Sequence, residues 1–162
     1  MKSTLETLAE ISTGCWAPAL KNVLLIQVGL KIELKVTPKG DRQRVDLIAS
    51  MPIESKAFHG SVALMFPEKT FLQLSNKMLG EDRTSISEEN IDAAGELLNI
   101  IFASARTTVN GLGHDFQPAI PTLVKGIDSQ LFHSSAESVL PITCLCELGV
   151  FYWESSLRPR KP

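Results

Sequence analysis

Apolar residues recur at helical spacing over Leu5, Leu8 and Ile11, so the pattern predicts a first helix over residues 3 to 14, with Pro18 as its break. From Ala19 to Leu30 the apolar positions fit a second helix or a buried strand equally well. Lys31-Ile32-Glu33-Leu34-Lys35-Val36 alternates strictly, as a half-buried strand does, and Pro38-Lys39-Gly40-Asp41 is a turn cluster. Val45 to Ile53 and Gly60 to Phe66 read as two further strands, the second apolar enough to be central. Pro67 and Gly80 bracket a helix whose apolar stripe is Phe71, Leu74 and Met78. Ser85-Ile86-Ser87-Glu88 has the spacing of a capping box, predicting a long helix from there to about Asn110, stopped by Gly111 and Gly113. Val139 to Cys146 and Val150 to Ser155 read as a last strand pair turning at Gly149. Helix, three strands, two helices and two strands describe an α+β fold, a two-layer domain with a mostly antiparallel sheet packed against helices.

Composition narrows the function classes. The chain has 162 residues, 44% hydrophobic and 21% charged, the usage of an ordinary globular protein, and is read as a single domain over residues 1–162. A net charge of -2 leaves no broad basic field for nucleic acid and no polybasic membrane patch. Arg158, Arg160 and Lys161 make the tail from about 157 to 162 basic, which reads as a frayed, solvated terminus. Three cysteines, Cys15, Cys144 and Cys146, do not form a secreted disulfide framework. The run Val23-Leu24-Leu25-Ile26 falls far short of the ~18–20 residues that span a bilayer. The expectation is a soluble, cytoplasmic protein.

The long helix carries the chemistry. On a wheel, Ile91, Ala94, Leu97, Leu98, Ile101, Phe102, Ala105 and Val109 share one broad face, to be buried against the sheet. Glu88, Asp92, Glu96, Asn99, Arg106 and Asn110 form a narrow polar stripe opposite, with Ala103 between Asn99 and Arg106. The three acids follow one another at i, i+4, an arrangement that costs ~0.2–0.5 kcal/mol per like-charge pair on an exposed helix. No basic residue stands at 99, 100 or 103 to answer Glu96. An acid without a cation on its own helix, one turn before an amide, suits docking of a partner's lysine. The same stripe also fits an ordinary solvated helix face.

Asp92-x-x-x-Glu96-x-x-Asn99, set in Gly95-Glu96-Leu97-Leu98-Asn99, resembles the signature of the CheC/CheX/FliY phosphatases of bacterial chemotaxis. Pro121-Thr122-Leu123-Val124-Lys125-Gly126 is similar to the Pro-containing loop that follows that signature, and Gly60 to Phe66 with the helix ending Met78-Leu79-Gly80 resembles the CheX lead-in. The likeness covers roughly residues 45 to 155, and a single E-x-x-N helix makes CheX a nearer relative than CheC. It implies a hydrolase that removes the phosphoryl group from the aspartyl phosphate of a CheY-like response regulator. Asn99 would position the attacking water, Glu96 would pair with a regulator lysine, and Asp92 would support that face. It implies no cofactor of the chain's own, with Mg²⁺ on the regulator, and a homodimer built by joining sheets. The alternative is a non-catalytic FliM-like or CheC-like binding module of a signalling or flagellar complex.

Other signals carry less. Cys144-Leu145-Cys146 lacks metal-site spacing, and His59, His114 and His133 are scattered. Trp16 and Trp153 read as core or interface aromatics, and Phe151-Tyr152-Trp153 as a strand that could serve as a sheet edge.

Overall fold

Ser3 and Glu6 open the first helix by exchanging hydrogen bonds. The Ser3 hydroxyl accepts from the Glu6 N–H at 3.1 Å and the Glu6 carboxylate accepts from the Ser3 N–H at 2.7 Å. The reciprocal pair satisfies two of the free donors of a helix start. The computed structural model describes residues 2–38, 41–117, 119–126 and 138–161. In it α1 (Thr4–Ile11) passes through a π-helical turn (Ser12–Trp16) directly into α2 (Ala17–Val28). Pro18 does not break the chain there. The π turn has Ala17 N–H donating to Ser12 O and resets the ladder, so Pro18 falls in the first turn of α2, where a missing N–H is tolerated. The ambiguous stretch is therefore helix: Ala19, Leu20, Val23, Leu24 and Val28 are buried at helical spacing, and Gly29 ends it with a left-handed φ of 75°.

Among the described residues six strands form one antiparallel sheet: β1 (Glu33–Val36), β2 (Leu47–Glu54), β3 (Phe58–Phe66), β4 (Thr122–Lys125), β5 (Ser138–Cys146) and β6 (Gly149–Pro159). Their spatial order is β1-β5-β6-β3-β2-β4. The α+β class is as the pattern predicts, and Val62 to Phe66 of central β3 are buried on both faces. Three expectations change. The Pro-containing loop holds a strand, β4, which pairs Thr122 with Ser50 and Val124 with Ile48. β6 is interior, between β5 and β3, so Phe151-Tyr152-Trp153 is no sheet edge. The basic tail is not frayed. β6 continues to Pro159, the Arg160 N–H donates to Ala57 O at 2.9 Å, and its guanidinium reaches Ser55 O at 2.6 Å and Glu54 at 3.3 Å.

α3 (Glu68–Leu79) buries Phe71 and Leu74 and ends at Gly80 with φ 68°. α4 (Asp92–Gly111) lies with α1 and α2 over one face of the sheet, around a core that includes Leu47, Ala49, Leu64, Phe66 and Trp153. Trp16, at the end of the π turn, packs at 6.0 Å on Phe102 of α4 and at 5.4 Å on Trp153 of β6. The two tryptophans are thus core residues that brace α4 against the sheet. On the other face Val45, Ile48, Ala63, Met65 and Tyr152 form a smaller cluster.

Candidate functional site: the outward face of α4

Leu97, Leu98 and Ile101 on the inward flank of α4 are fully buried. Each is worth roughly 1.5–3 kcal/mol relative to exposure, which fixes the rotation of the helix about its axis. Glu96 and Asn99 consequently point to solvent. They stand three residues apart, so one lies ~4.5 Å along the axis from the other and ~60° around it. Asp92 is exposed in the first helical turn, where the positive end of the helix dipole favours an acid by ~0.3–1 kcal/mol. Among the described residues none of these three side chains makes a hydrogen bond or an ion pair within the chain. Arg106, half-buried further along the stripe, does not answer Glu96.

The start of α4 differs from expectation. Ser85 to Glu88 is not a capping box. Asn90, 1% exposed, accepts from Ser87 N–H at 2.9 Å and donates to Ser85 O at 3.0 Å, winding the chain into a turn that carries it to Asp92. Glu88 therefore precedes the helix, and the column of acids shortens to Asp92 and Glu96. Lys125 of β4 reaches back to Ile86 O at 2.7 Å and ties this lead-in to the sheet.

The segment entering β4 flanks the site. A methyl added at buried Gly95 would lie 3.5 Å from Leu123 Cδ2 and 3.6 Å from Pro121 Cβ, ordinary contact distances. Gly95 and Asn99 are ~40° apart on the wheel, so Pro121 borders the stripe on its Asn99 side. Next to it, Ile120 is 87% exposed. The sequence pattern gave Ile120, Asn90 and Lys125 no role. Asn90 and Lys125 act through contacts remote in sequence, and an isolated apolar residue before a proline is unremarkable until its neighbours are located.

The site is a convex helix face, suited to another macromolecule rather than to a small molecule. An open cavity of about 410 Å³ lies elsewhere, lined by Glu54, Ser55, Lys56, Asp115, Gln117 and Arg160. Among the described residues no group of three or more His, Cys, Asp and Glu side chains is arranged to hold a metal ion. Perturbed groups also lie away from α4. Burial, and secondarily the Cys146 thiol, pushes the Cys144 thiol well up. Burial and then Glu10 raise Cys15, and the Ser3 hydrogen bonds lower Glu6. His59 faces Glu54 at 3.4 Å, His114 stacks on Phe116 at 5.7 Å, and His133 lies outside the described residues.

The family described as chemotaxis phosphatase CheX matches residues 47–145, a span that contains β2, β3, α3, α4, β4 and most of β5. The chain belongs to the CheX family. CheX of Desulfovibrio desulfuricans is 27% identical, with 92% of this chain and 99% of that one covered, at a TM-score of 0.75. CheX of Vibrio vulnificus is 24% identical over 88% and 96% of the two chains, at a TM-score of 0.78. Two more distant structures share the fold alone: a CheX-CheY-BeF₃-Mg²⁺ complex from Borrelia burgdorferi, 14% identical over 88% of this chain and 95% of that one (TM-score 0.69), and the FliM middle domain of H. pylori, 11% identical over 98% and 93% (TM-score 0.66). No curated protein sequence matches the chain. Residues Asp92, Glu96, Asn99 and Pro121 all fall within the stretch that defines CheX membership.

Proposed function

We propose that the chain dephosphorylates a CheY-like response regulator by presenting Asn99 and Glu96 to the regulator's aspartyl phosphate. The observation that carries this reading is an exposed carboxylate and an exposed amide, one turn apart and unpartnered among the described residues, on a helix held rigid from below. Phosphoryl transfer runs through a loose transition state, so catalysis is mainly positioning and charge stabilisation. The Asn99 carboxamide oxygen accepts a hydrogen bond from water and holds it in line with the scissile bond, without titrating. The water oxygen bonds to phosphorus, the bond from phosphorus to the aspartyl oxygen breaks, and inorganic phosphate leaves with the regulator's carboxylate restored. Glu96 pairs with a regulator lysine and sets the depth of insertion, with Asp92 adding negative charge to the same face. Mg²⁺ is held by the regulator in this reading, and the chain brings no cofactor of its own.

The complex between CheX and CheY from Borrelia supports the choice of partner. Likeness to a FliM domain keeps a purely binding role as the rival, because the fold is common to both. Incubation with a phosphorylated CheY-type regulator and measurement of phosphate release separates them. Accelerated release that Asn99→Ala abolishes supports the phosphatase. Binding without acceleration supports the rival. No described helix is long and apolar enough to cross a membrane, and a CheY-like partner would place the protein in the cytoplasm. A homodimer joined sheet to sheet would pair at an outer strand, β1 or β4.

A further inference from the structure

Ile120 is 87% exposed, more than any other large apolar side chain among the described residues, the next being Ile26 at 67%. Single apolar residues on a surface are ordinary and need no explanation on their own. Three features set Ile120 apart. Its flanks are packed: Ala119 and Leu123 lie against the core, and Pro121 sits on the Gly95 turn of α4. Its backbone is held. A residue before proline is restricted to extended conformations, and β4, which follows at once, is hydrogen-bonded to β2. Its location is specific. Pro121 Cβ lies 3.6 Å from where a Cβ on Gly95 would stand, and with the ~3.8 Å step between Cα atoms this puts the Ile120 Cα within ~10 Å of the Gly95 Cα, beside the turn that carries Glu96 and Asn99.

A side chain presented this way loses little backbone entropy on docking. Glu96 and Asn99 offer charge and hydrogen bonds on one side of the stripe's border, and Ile120 offers apolar area on the other. We infer that Ile120 is an apolar anchor for the phosphorylated receiver domain, fixing its affinity and its seating over Asn99 without taking part in the chemistry. The inference deepens the proposed function and rests on it. The occupant it requires presents an acyl phosphate, a lysine for Glu96, and an apolar patch beside them.

The test uses the full chain and two readouts: binding to a purified CheY-type receiver domain carrying BeF₃⁻ and Mg²⁺, and steady-state dephosphorylation of the same domain. Ile120→Ser is expected to weaken binding and raise KM by about 10-fold or more, the scale of losing one buried aliphatic side chain, while kcat stays within about 2-fold of wild type. Ile120→Leu keeps the area and restores both values. Leu112→Ser, another exposed apolar position but ~20 Å along α4 from Asn99, leaves them unchanged. Wild-type Kd and KM in Ile120→Ser overturn the inference even when the protein is an active phosphatase. A wild-type chain that binds the receiver but releases no phosphate removes the phosphatase reading, and a weakened Ile120→Ser still upholds the anchor. A wild-type chain that neither binds nor hydrolyses overturns both.

Discussion

Glu96 and Glu54 are both exposed carboxylates on well-anchored elements, and the chain surrounds them in opposite ways. Glu54, at the end of β2, faces the Arg160 guanidinium at 3.3 Å and the His59 ring at 3.4 Å, and its own backbone carbonyl accepts from Gln117 N–H at 3.0 Å. Glu96, in the middle of α4, has Asn99 one turn away and no basic partner among the described residues. At Glu54 the ion pair with Arg160 and the backbone bond from Gln117 join three distant parts of the chain: the end of β2, the segment after α4 and the end of β6. At Glu96 the charge stays open to solvent. Glu54 is thus paired at the sheet's end, and the acid proposed to act is unpaired among the described residues, on a helix whose rigidity comes from apolar burial underneath.

The sharpest way to break this contrast is to change Asn99. Asn99→Ala leaves the inward flank of α4 untouched and is expected to lower phosphate release at saturating phosphorylated regulator by ~10²-fold, about 2.7 kcal/mol of barrier. Binding to the BeF₃⁻-loaded receiver should stay within about 2-fold. Full activity in this variant would assign Asn99 to the ordinary solvated surface. Glu96→Ala comes next. It should weaken receiver binding by ~10-fold and flatten the dependence of binding on salt, because an attraction between exposed charges is screened and a water-holding amide is not. An unchanged salt dependence would mean that Glu96 meets no cation in the complex.

The contrast between the two regions was only half visible in the sequence. The outward face of α4 was legible because it depends on local periodicity: Leu97, Leu98 and Ile101 define the buried flank, and Glu96 and Asn99 fall opposite. Local signals also gave α3 with its Gly80 end, the central β3, and the hairpin from β5 to β6, closed at Gly149 with φ 125°. The paired region was not legible. Arg160 meets Glu54 only because β6 runs beside β3, a pairing across about a hundred residues that no local pattern encodes. The same limit hid β4, four residues whose strand character comes from pairing with β2, and the interior place of β6. Ser85 to Glu88 had the spacing of a capping box without its hydrogen bonds, because Asn90 claims the backbone there instead. The working capping box was Ser3 to Glu6, at a helix start the periodicity placed within one residue.

The smallest expected effect lies at Glu54 and tests the paired half of the comparison. The Glu54 and Arg160 side chains are 58% and 35% exposed, so their ion pair is worth about 0–1 kcal/mol after screening. For a chain of this size that corresponds to a fall in Tm of at most ~2–4 °C in Glu54→Gln. Arg160→Met removes the ion pair together with the hydrogen bond to Ser55 O, so it should cost more than Glu54→Gln while leaving the backbone bond from Arg160 N–H to Ala57 O in place. Neither variant should alter receiver binding or phosphate release, because the bridge between Glu54 and Gln117 lies at the far end of β2 from its pairing with β4, which stops at Ser50 and Thr122. Loss of activity without loss of stability in Glu54→Gln would show that the segment joining α4 to β4 transmits strain to Pro121. The unpaired and paired acids would then belong to one mechanical unit rather than to two separate regions.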